Sequence, residues 1–435
     1  MRSSPRWALL LAVALLGCSD DDTTSSEMSP VGMQPAAGTS GSGGTSGGAG
    51  AGSAGKAGAS GTAGSAGKAG ATAGSAGKAG ATATAGTSAG EADAGAVDDT
   101  NSSGGADLAA LKAAGIDKYI GVAKPASMQA GENGETTFTF DVASGPRCLR
   151  GDPYSMGIRD QKSENLIIYL QGGGSCSSAV CSATQTANPT IPKAGLMSPS
   201  DASNPVSSWN LVYVPYCDGS LHYGDKDHAD ETPPRYHHGL KNLSAALDVG
   251  VARFPKPKQI LLAGSSAGGL GTIYASSLVR LLYPEAKLFV FNDSGVGVST
   301  PDGVRAKLTR DEWGTQQIIP PSCPECSASA HSTPVITWTL THDPELRVAI
   351  FSAYEDSVLA DTFLMIGGPA FKQALLDETG KVVKAYPERA KRFFIEGTKH
   401  TTAGNIQATM INGLSIAQWL GYMLNDDPKW TDALQ

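Results

Sequence analysis

The chain has 435 residues, 54 of them glycine, and a formal net charge of −8. This acidic balance, without any Lys/Arg stripe carrying interleaved aromatic residues, argues against nucleic acid as a partner. The length suffices for one large α/β domain, and the uneven composition places that domain in the C-terminal part of the chain.

The N-terminal segment has the organisation of a signal peptide. A basic start precedes an apolar stretch, 7–16, that is too short to span a bilayer. The run Leu15-Leu16-Gly17-Cys18 resembles the processing box of bacterial lipoproteins, which implies cleavage before Cys18 and a lipid on that cysteine. We therefore assign residues 1–18 to a lipoprotein signal peptide and expect anchoring in the cell envelope, at the outer membrane because of Ser19. An ordinary secretory peptide and an extracellular protein are the alternative.

Residues 19–106 form a low-complexity tract of Gly, Ala, Ser and Thr. The octapeptide that starts at Gly52 recurs at Gly64 and Gly74, and glycine occupies every third position from Gly52 to Gly70. A collagen triple helix needs a strict repeat with abundant proline, whereas this run contains no proline and loses its period. We therefore predict a flexible tether.

Residues 107–435 contain short apolar runs that are typical of buried strands, separated in part by helix-like stretches. The strand-like runs are 166–170, 211–214, 260–262, 288–291, 348–351 and 393–395, and the helix-like stretches are 239–254, 268–282 and 414–424. This alternation predicts a mostly parallel sheet flanked by helices, with right-handed crossovers. Ligands of such sheets bind beyond the carboxyl ends of the strands.

The third strand-like run leads into residues 264–268, Gly-Ser-Ser-Ala-Gly, and then into a helix-like stretch. A G-x-S-x-G pattern in this setting predicts a nucleophile elbow, in which Ser266 is exposed on a sharp turn. The amide of Ala267 would lie at a helix N-terminus, where negative charge is favoured. A glycine-rich loop without catalytic function is the alternative.

Three consecutive glycines, 172–174, follow the first strand-like run. Glycines at this position leave backbone amides unobstructed, and α/β-hydrolases place the second part of the oxyanion hole there. A flexible turn is the alternative, although three glycines in a row carry an entropic cost.

Candidate acids and bases follow the later strands. The α/β-hydrolase order is Ser, then Asp or Glu, then His, and Ser266, Asp356 and His400 obey it, each just past a strand end. A serine needs an adjacent base, a histidine suits proton abstraction and return, and a buried carboxylate orients that histidine. We predict these three roles, with Glu355, Asp361 and Asp293 as competing acids. A turn or capping role is the alternative for Asp293, which could also line the substrate cleft.

Six cysteines remain when Cys18 is set aside, and an even number in an exported chain predicts three disulfides. Cys323 and Cys326 form a C-x-x-C pair in a loop-like stretch, which favours a small disulfide loop over a redox or zinc site. Cys176 with Cys181 is a second local candidate, and it would leave Cys148 with Cys217. Fifteen connectivities are open from the sequence alone.

Histidines and aspartates crowd residues 222–238 and raise the alternative of a metal site. They are His222, Asp225, Asp227, His228, Asp230, His237 and His238. Their spacing matches no H-E-x-x-H helix, and Pro233-Pro234 suggests a loop, so we favour a solvated polar loop and expect neither metal nor cofactor. His222 follows a strand and could line the substrate cleft.

Three blocks together resemble the pectin acetylesterase and Notum carboxylesterase family. They are 166–176 (LIIYLQGGGSC), 213–219 (YVPYCDG) and 264–269 (GSSAGG), and Asp293-Ser294-Gly295, Asp356-Ser357-Val358 and His400-Thr401 look like later blocks of the family. The resemblance implies a disulfide-stabilised α/β-hydrolase fold without a metal. It also implies a triad of Ser266, Asp356 and His400, and an oxyanion hole of Gly173, Gly174 and Ala267.

Plant members of the family release acetate from pectin and animal members remove a fatty acyl group from a signalling protein. We therefore expect a monomeric, exported serine esterase that hydrolyses acyl esters, most readily O-acetyl groups of a polysaccharide such as pectin. A lipase-like deacylase of longer acyl groups and a non-catalytic surface binder on a hydrolase scaffold are the alternatives.

Overall fold

A computed structural model describes residues 105–435. The predicted signal peptide, Cys18 and nearly all of the predicted tether, residues 19–106, lie outside the described residues. None of the helices within 105–435 is both long and apolar enough to cross a bilayer.

A central sheet organises the described residues and has ten strands there, in the order β1-β2-β3-β5-β4-β8-β9-β10-β11-β14. These strands are β1 Pro125–Ala130, β2 Glu135–Phe140, β3 Ser155–Arg159, β4 Asn165–Leu170, β5 Asn210–Val214, β8 Gln259–Ser265, β9 Lys287–Asp293, β10 Arg347–Ala353, β11 Ala390–Ile395 and β14 Ala433–Leu434. Two short hairpins are formed by β6 Lys226–His228 with β7 Arg235–His237, and by β12 Met410–Ile411 with β13 Leu414–Ser415. The strands from β5 to β14 are parallel, while β1, β2 and β3 form an antiparallel extension.

The α-helices of the described residues flank the sheet or close its edges. They are α1 Leu108–Ala113, α2 Gly239–Arg253, α3 Ala267–Leu282, α4 Val304–Trp313, α5 Pro324–Ala328, α6 Thr333–His342, α7 Gly368–Ala385 and α8 Ile416–Leu424. The mostly parallel sheet with flanking helices confirms the predicted α/β-hydrolase-like class.

Alternate residues of the central strands enter two separate cores. On β4, Ile168 packs into the core that also contains residues of α2, α3, α6 and α7, whereas Ile167 packs into the core that contains α8. Because both faces are covered, apolar residues occupy consecutive positions, and the strands lack the alternation of a half-exposed sheet. This explains why the buried strands could be predicted as continuous apolar runs.

Two expectations about local structure need correction. The final helix does not begin at residue 414, because Leu414 and Ser415 form β13 and the Ser415 side chain caps the helix in a capping box with Gln418. The polar stretch 222–238 is not a simple loop, since β6 and β7 pair within it.

Three disulfides join the cysteines of the described residues: Cys148–Cys217, Cys176–Cys181 and Cys323–Cys326. All three candidate pairs are confirmed. The first bond spans 69 positions in the chain and joins the segment before β3 to the segment after β5. The other two close small loops of 5 and 3 positions.

Candidate active site

Ser266 lies at the turn between β8 and α3, at the carboxyl edge of the sheet. Its φ of 55° and ψ of −117° lie outside the regions that a serine usually occupies. The turn can be this tight because a Cβ atom on Gly264, in β8, would lie only 2.3 Å from the carbonyl oxygen of Gly268, in α3. Strand and helix therefore approach more closely than any side chain at this position would allow, which leaves Ser266 at the tip.

Asp356 and His400 meet at the same edge. The Nδ1 atom of His400 lies 2.9 and 2.8 Å from the two carboxylate oxygens of Asp356. Asp356 follows β10 and is fully buried, and its Oδ1 also accepts hydrogen bonds from the amides of Val358 and Leu359. A carboxylate on Nδ1 fixes the tautomer in which Nε2 is the acceptor, as a general base requires.

The other ring nitrogen of His400 is available for proton transfer. Within residues 105–435, His400 Nε2 is buried and makes no hydrogen bond, and none is formed by the Ser266 hydroxyl. Hydrogen bonds between nucleophile and base are often long or misaligned before substrate binds. Within the described residues, His400 Nε2 is therefore free to accept a proton.

The glycine loop lies directly beside Ser266. A Cβ atom on Gly172 would be 3.0 Å from the Cβ of Ser266 and 2.6 Å from the carbonyl oxygen of Ser265, so only glycine fits there. The carbonyl of Gly173 accepts a hydrogen bond from the amide of Thr184 at 2.7 Å, and the carbonyl of Gly174 accepts one from the hydroxyl of Tyr216 at 2.9 Å.

These contacts fix the orientation of the glycine peptides. No hydrogen bond in the described part of the chain involves the amides of Gly173 and Gly174. The amide of Ala267 occupies the first position of α3, where a helix offers it no acceptor. The three predicted oxyanion donors are thus free to bind a developing negative charge.

Contacts behind the glycine loop hold it in place. The Cys176–Cys181 disulfide closes the segment that follows it, and the indole Nε1 of Trp313 donates to the carbonyl of Cys176 at 2.7 Å. The carboxylate of Glu312 accepts from the amide of Ser178 at 2.6 Å and from Arg235 at 3.0 Å. Helix α4 therefore supports the loop, although no signal in its sequence indicates this role.

His222 does not line an open cleft. Its side chain is buried, the Nε2 atom lies 2.8 Å from the carbonyl oxygen of Gln171, and the ring lies against Tyr216. Burial lowers the pKa of His222, which favours the neutral form. Its position behind the glycine loop corrects the expectation that it faces the substrate.

Asp293 is likewise fully buried and does not contact His400 Nδ1. Its carboxylate accepts hydrogen bonds from Ser265, Thr402 and Ala403 instead. Among the described contacts, neither Glu355 nor Asp361 bonds the histidine either, so Asp356 is the carboxylate that the fold brings to it.

The residues of the polar stretch take part in separate contacts. His228 bonds the carbonyl of Glu312, His238 bonds Asp227 and the carbonyl of Gly145, and burial lowers the pKa of His237 to about 4. No group of three or more His, Cys, Asp or Glu side chains within residues 105–435 is arranged to hold a metal ion.

Fold and site together define an α/β-hydrolase-like protein with a serine elbow. Residues 128–324 match the family model described as Pectinacetylesterase. This match confirms the resemblance of the motifs to the pectin acetylesterase family. The matched region includes Ser266 and the glycine loop but ends before Asp356 and His400, whose pairing rests on the geometry.

Similar curated proteins carry two kinds of name. The chain is 27% identical to "Pectin acetylesterase 11" of Arabidopsis thaliana over 205 residues, which cover 42% of this chain and 52% of the relative. It is 28% identical to "Palmitoleoyl-protein carboxylesterase NOTUM" of Schmidtea mediterranea over 170 residues, which cover 35% and 32%. A notum1' protein of Xenopus laevis with the same type of name is 26% identical over 168 residues, which cover 34% of each chain. The chain thus spans about half the length of the plant relative and one third of the animal relatives.

Proposed function

We propose that the chain is a serine carboxylesterase in which Ser266 is the nucleophile, His400 the general base and Asp356 the residue that orients the base. The observation that carries this proposal is the pair of contacts between His400 Nδ1 and the buried Asp356 carboxylate, at the sheet edge that presents Ser266. The match to the family model and the similar curated proteins support it, because both groups of relatives are named as esterases of acyl groups.

The reaction has two half-reactions. Ser266 Oγ attacks the carbonyl carbon of the ester while His400 Nε2 takes its proton, and the resulting oxyanion is bound by the amides of Gly173, Gly174 and Ala267. The tetrahedral intermediate collapses, the alcohol leaves with the proton from His400, and the acyl group stays on Ser266. Water, deprotonated by His400, then attacks the acyl-serine, and the carboxylic acid leaves as the Ser266 hydroxyl regains its proton.

Replacement of the nucleophile tests the proposal. We expect Ser266→Ala to lower kcat for p-nitrophenyl acetate by at least about 10⁴-fold, because the covalent step is lost. Ser203→Ala, which removes an exposed hydroxyl bonded only to Asp201, is the matched control and should keep the wild-type rate. Wild-type hydrolysis by Ser266→Ala would refute the assignment.

A fluorophosphonate probe separates an esterase from a non-catalytic binding protein on the same scaffold. The wild-type chain should be labelled on Ser266, and labelling should disappear in Ser266→Ala. An unlabelled but correctly folded wild-type chain would favour the binding protein.

The substrate we propose is an O-acetyl ester of a polysaccharide such as pectin, in line with the name of the plant relatives. Acetate release from acetylated pectin and acetylated xylan measures this directly. The names of the animal relatives favour a second candidate, the removal of a longer acyl group. If a long chain is bound in an apolar pocket, p-nitrophenyl octanoate should be preferred over the acetate, since each buried methylene contributes about 0.8 kcal/mol.

We further propose that the protein is exported, lipid-anchored through Cys18 and monomeric. The order of a basic start, a short apolar stretch and Leu15-Leu16-Gly17-Cys18 supports export and anchoring. Cys18→Ser should prevent incorporation of radiolabelled palmitate in the producing cell, whereas Ser19→Ala should not. Incorporation of palmitate by Cys18→Ser would refute lipidation at Cys18, and a wild-type chain that incorporates no palmitate would favour an ordinary secreted esterase.

A further inference from the structure

The end of β9 lies between the nucleophile and the base. Asp293 is the last residue of this strand and pairs in register with Ser265, the residue before the nucleophile. Its backbone carbonyl accepts a hydrogen bond from the amide of Ser266 at 2.8 Å. The backbone of Asp293 therefore helps to hold the unusual conformation of Ser266.

The Asp293 side chain connects this strand end to the loop that carries the base. One carboxylate oxygen, Oδ2, accepts from the hydroxyl of Ser265 at 2.5 Å and from the amide of Ala403 at 2.9 Å. The amide of Thr402 donates to both oxygens, at 3.0 and 3.1 Å. A single buried carboxylate thus bonds residues that flank Ser266 and His400 in the chain.

The two neighbouring residues of the same segment, Asn292 and Ser294, add three further hydrogen bonds. The hydroxyl of Ser294 donates to the carbonyl of His400, and the amide of Ser294 donates to Phe351 on β10 at 3.0 Å. The side-chain amide of Asn292 donates to the carbonyl of Gly269 at 2.9 Å, in the first turn of α3. The segment from Asn292 to Ser294 therefore contacts the nucleophile helix, the acid-bearing strand and the base loop.

We infer that Asp293 is a positioning residue: its carboxylate, together with the Ser294 hydroxyl, sets the separation of Ser266 and His400. This inference rests on the proposed function, because it assumes that these two residues react together. This role differs from the two that the sequence suggested for Asp293, a triad acid and a residue that lines the substrate cleft. A displacement of about 1 Å between reacting groups can lower the rate by about 100-fold, so the contacts that fix this separation are important to catalysis.

The charge state of the Asp293 carboxylate depends on pH. The carboxylate faces Ser265 from β8, Lys399 and His400 from the base loop, and Tyr169 from β4. Burial raises the pKa of Asp293 to about 6, although hydrogen bonds from Ser265, Ala403 and Thr402 oppose the rise. Above this pH the carboxylate offers only acceptors to its three donors, whereas the protonated form presents a hydroxyl to one of them.

Asp293→Asn tests the inference, because it keeps the size of the side chain but places an NH₂ group opposite a donor. We expect kcat for p-nitrophenyl acetate to fall about 10- to 100-fold, with KM changed by less than about threefold. The step near pH 6 in the acid limb of the wild-type kcat profile should be absent. Amide hydrogen exchange at Thr402 and Ala403 should become faster, a readout that needs no activity.

The matched control is Asp248→Asn. Asp248 is another carboxylate whose pKa is raised by burial, and it bonds the amide of Gly121 at 2.7 Å, away from the catalytic residues. This variant should keep the wild-type kcat and pH profile. If Asp293→Asn fails to fold, Ser294→Ala removes the hydrogen bond from the Ser294 hydroxyl to the carbonyl of His400 with a smaller perturbation, and should lower kcat about three- to tenfold.

Outcomes for the inference and for the proposed function are distinct. An active wild-type chain whose kcat and acid limb are unchanged in Asp293→Asn, or in Ser294→Ala if the first variant is unfolded, would overturn the positioning role alone. A wild-type chain without esterase activity or fluorophosphonate labelling would overturn the proposed function. In that case unchanged amide hydrogen exchange at Thr402 and Ala403 in Asp293→Asn would also refute the proposal that Asp293 holds the loop of His400.

Discussion

Ser266 and His400 lie on one side of the candidate active site, the nucleophile side, and the glycine loop 172–174 lies on the other. The nucleophile side is held by buried contacts among the carboxyl ends of neighbouring strands, in which Asp293 and Asp356 accept the hydrogen bonds. The glycine-loop side is held by a local disulfide, Cys176–Cys181, and by a hydrogen bond from the following segment to the distant Glu312 of α4.

The difference lies in what each side needs in order to form. Contacts on the nucleophile side follow directly from assembly of the parallel sheet, and they depend on the ionisation of buried carboxylates. The segment that follows the glycine loop is closed by a disulfide and contacts α4 through Trp313. We therefore expect pH to act mainly on the first side and reducing agents mainly on the second.

The largest effect is expected on the nucleophile side, from Asp356→Asn. The amide cannot hold His400 in the tautomer that leaves Nε2 free, so kcat should fall about 10³- to 10⁴-fold in steady-state ester hydrolysis. Asp361→Asn is the matched control, since Asp361 is exposed on the neighbouring π-helical turn 358–363 and makes no contact with His400. If Asp361→Asn lowered kcat by this amount and Asp356→Asn did not, Asp361 would be the residue that orients His400.

The strongest test of the glycine-loop side is Gly172→Ala. The added methyl group would lie 3.0 Å from the Cβ of Ser266, so the loop must move away from the nucleophile. Because removal of one oxyanion donor costs about 10²- to 10³-fold in kcat, we expect a loss of this size. Gly404→Ala adds the same group where nothing lies within 4 Å and should be neutral in the same assay. Equal rates for the two variants would show that the loop does not contact the reacting groups.

Disulfide variants show whether each bond supports the glycine loop or the stability of the whole fold. Removal of Cys176–Cys181 by a double Ser substitution should lower kcat about three- to tenfold with little change in Tm, because the bond closes a loop of only 5 positions beside the glycines. Removal of Cys148–Cys217, which spans 69 positions, should lower the free energy of unfolding by about 2–5 kcal/mol.

The Cys323–Cys326 pair provides the control for these variants, because its bond spans 3 positions and lies at the start of α5. Its double Ser variant should keep the wild-type kcat. Thermal unfolding and ester hydrolysis of all three variants give the comparison. A loss of stability without loss of kcat for Cys176–Cys181 would contradict local support.

The smallest effect concerns stability on the nucleophile side. Burial raises the pKa of Asp293 from 3.8 to about 6, so the ionised form is disfavoured in the fold by about 3 kcal/mol. This cost is present in full above pH 6 and disappears as the pH falls from about 6 to about 4. Relative to Asp293→Asn, which does not titrate, the wild-type chain should therefore gain stability between pH 7 and pH 5. Differential scanning calorimetry at both values tests the sign, and a relative loss would contradict the raised pKa.

Much of the central sheet could be predicted from the sequence. The six apolar runs are strands because burial on both faces produces consecutive apolar residues, and the runs at 260–262 and 348–351 lie within β8 and β10. The antiparallel extension β1–β3 could not be predicted in this way, since β1 is exposed along its whole length and β2 carries polar residues such as Thr136 and Thr137. Helix α4 was also missed, because few of its residues are buried and they follow no apolar stripe.

By itself the sequence predicted the elbow at Ser266, the order of the strands that present Asp356 and His400, and the resemblance to the pectin acetylesterase family, because these depend on local patterns and chain order. The tertiary structure alone decided that Asp356 rather than Asp293, Glu355 or Asp361 contacts His400. It also placed His222 and Asp293 behind the reacting groups instead of in a cleft. The physical reason is that all these residues follow strand ends, and only the packing of adjacent loops decides which side chain turns toward the histidine and which supports the backbone behind it.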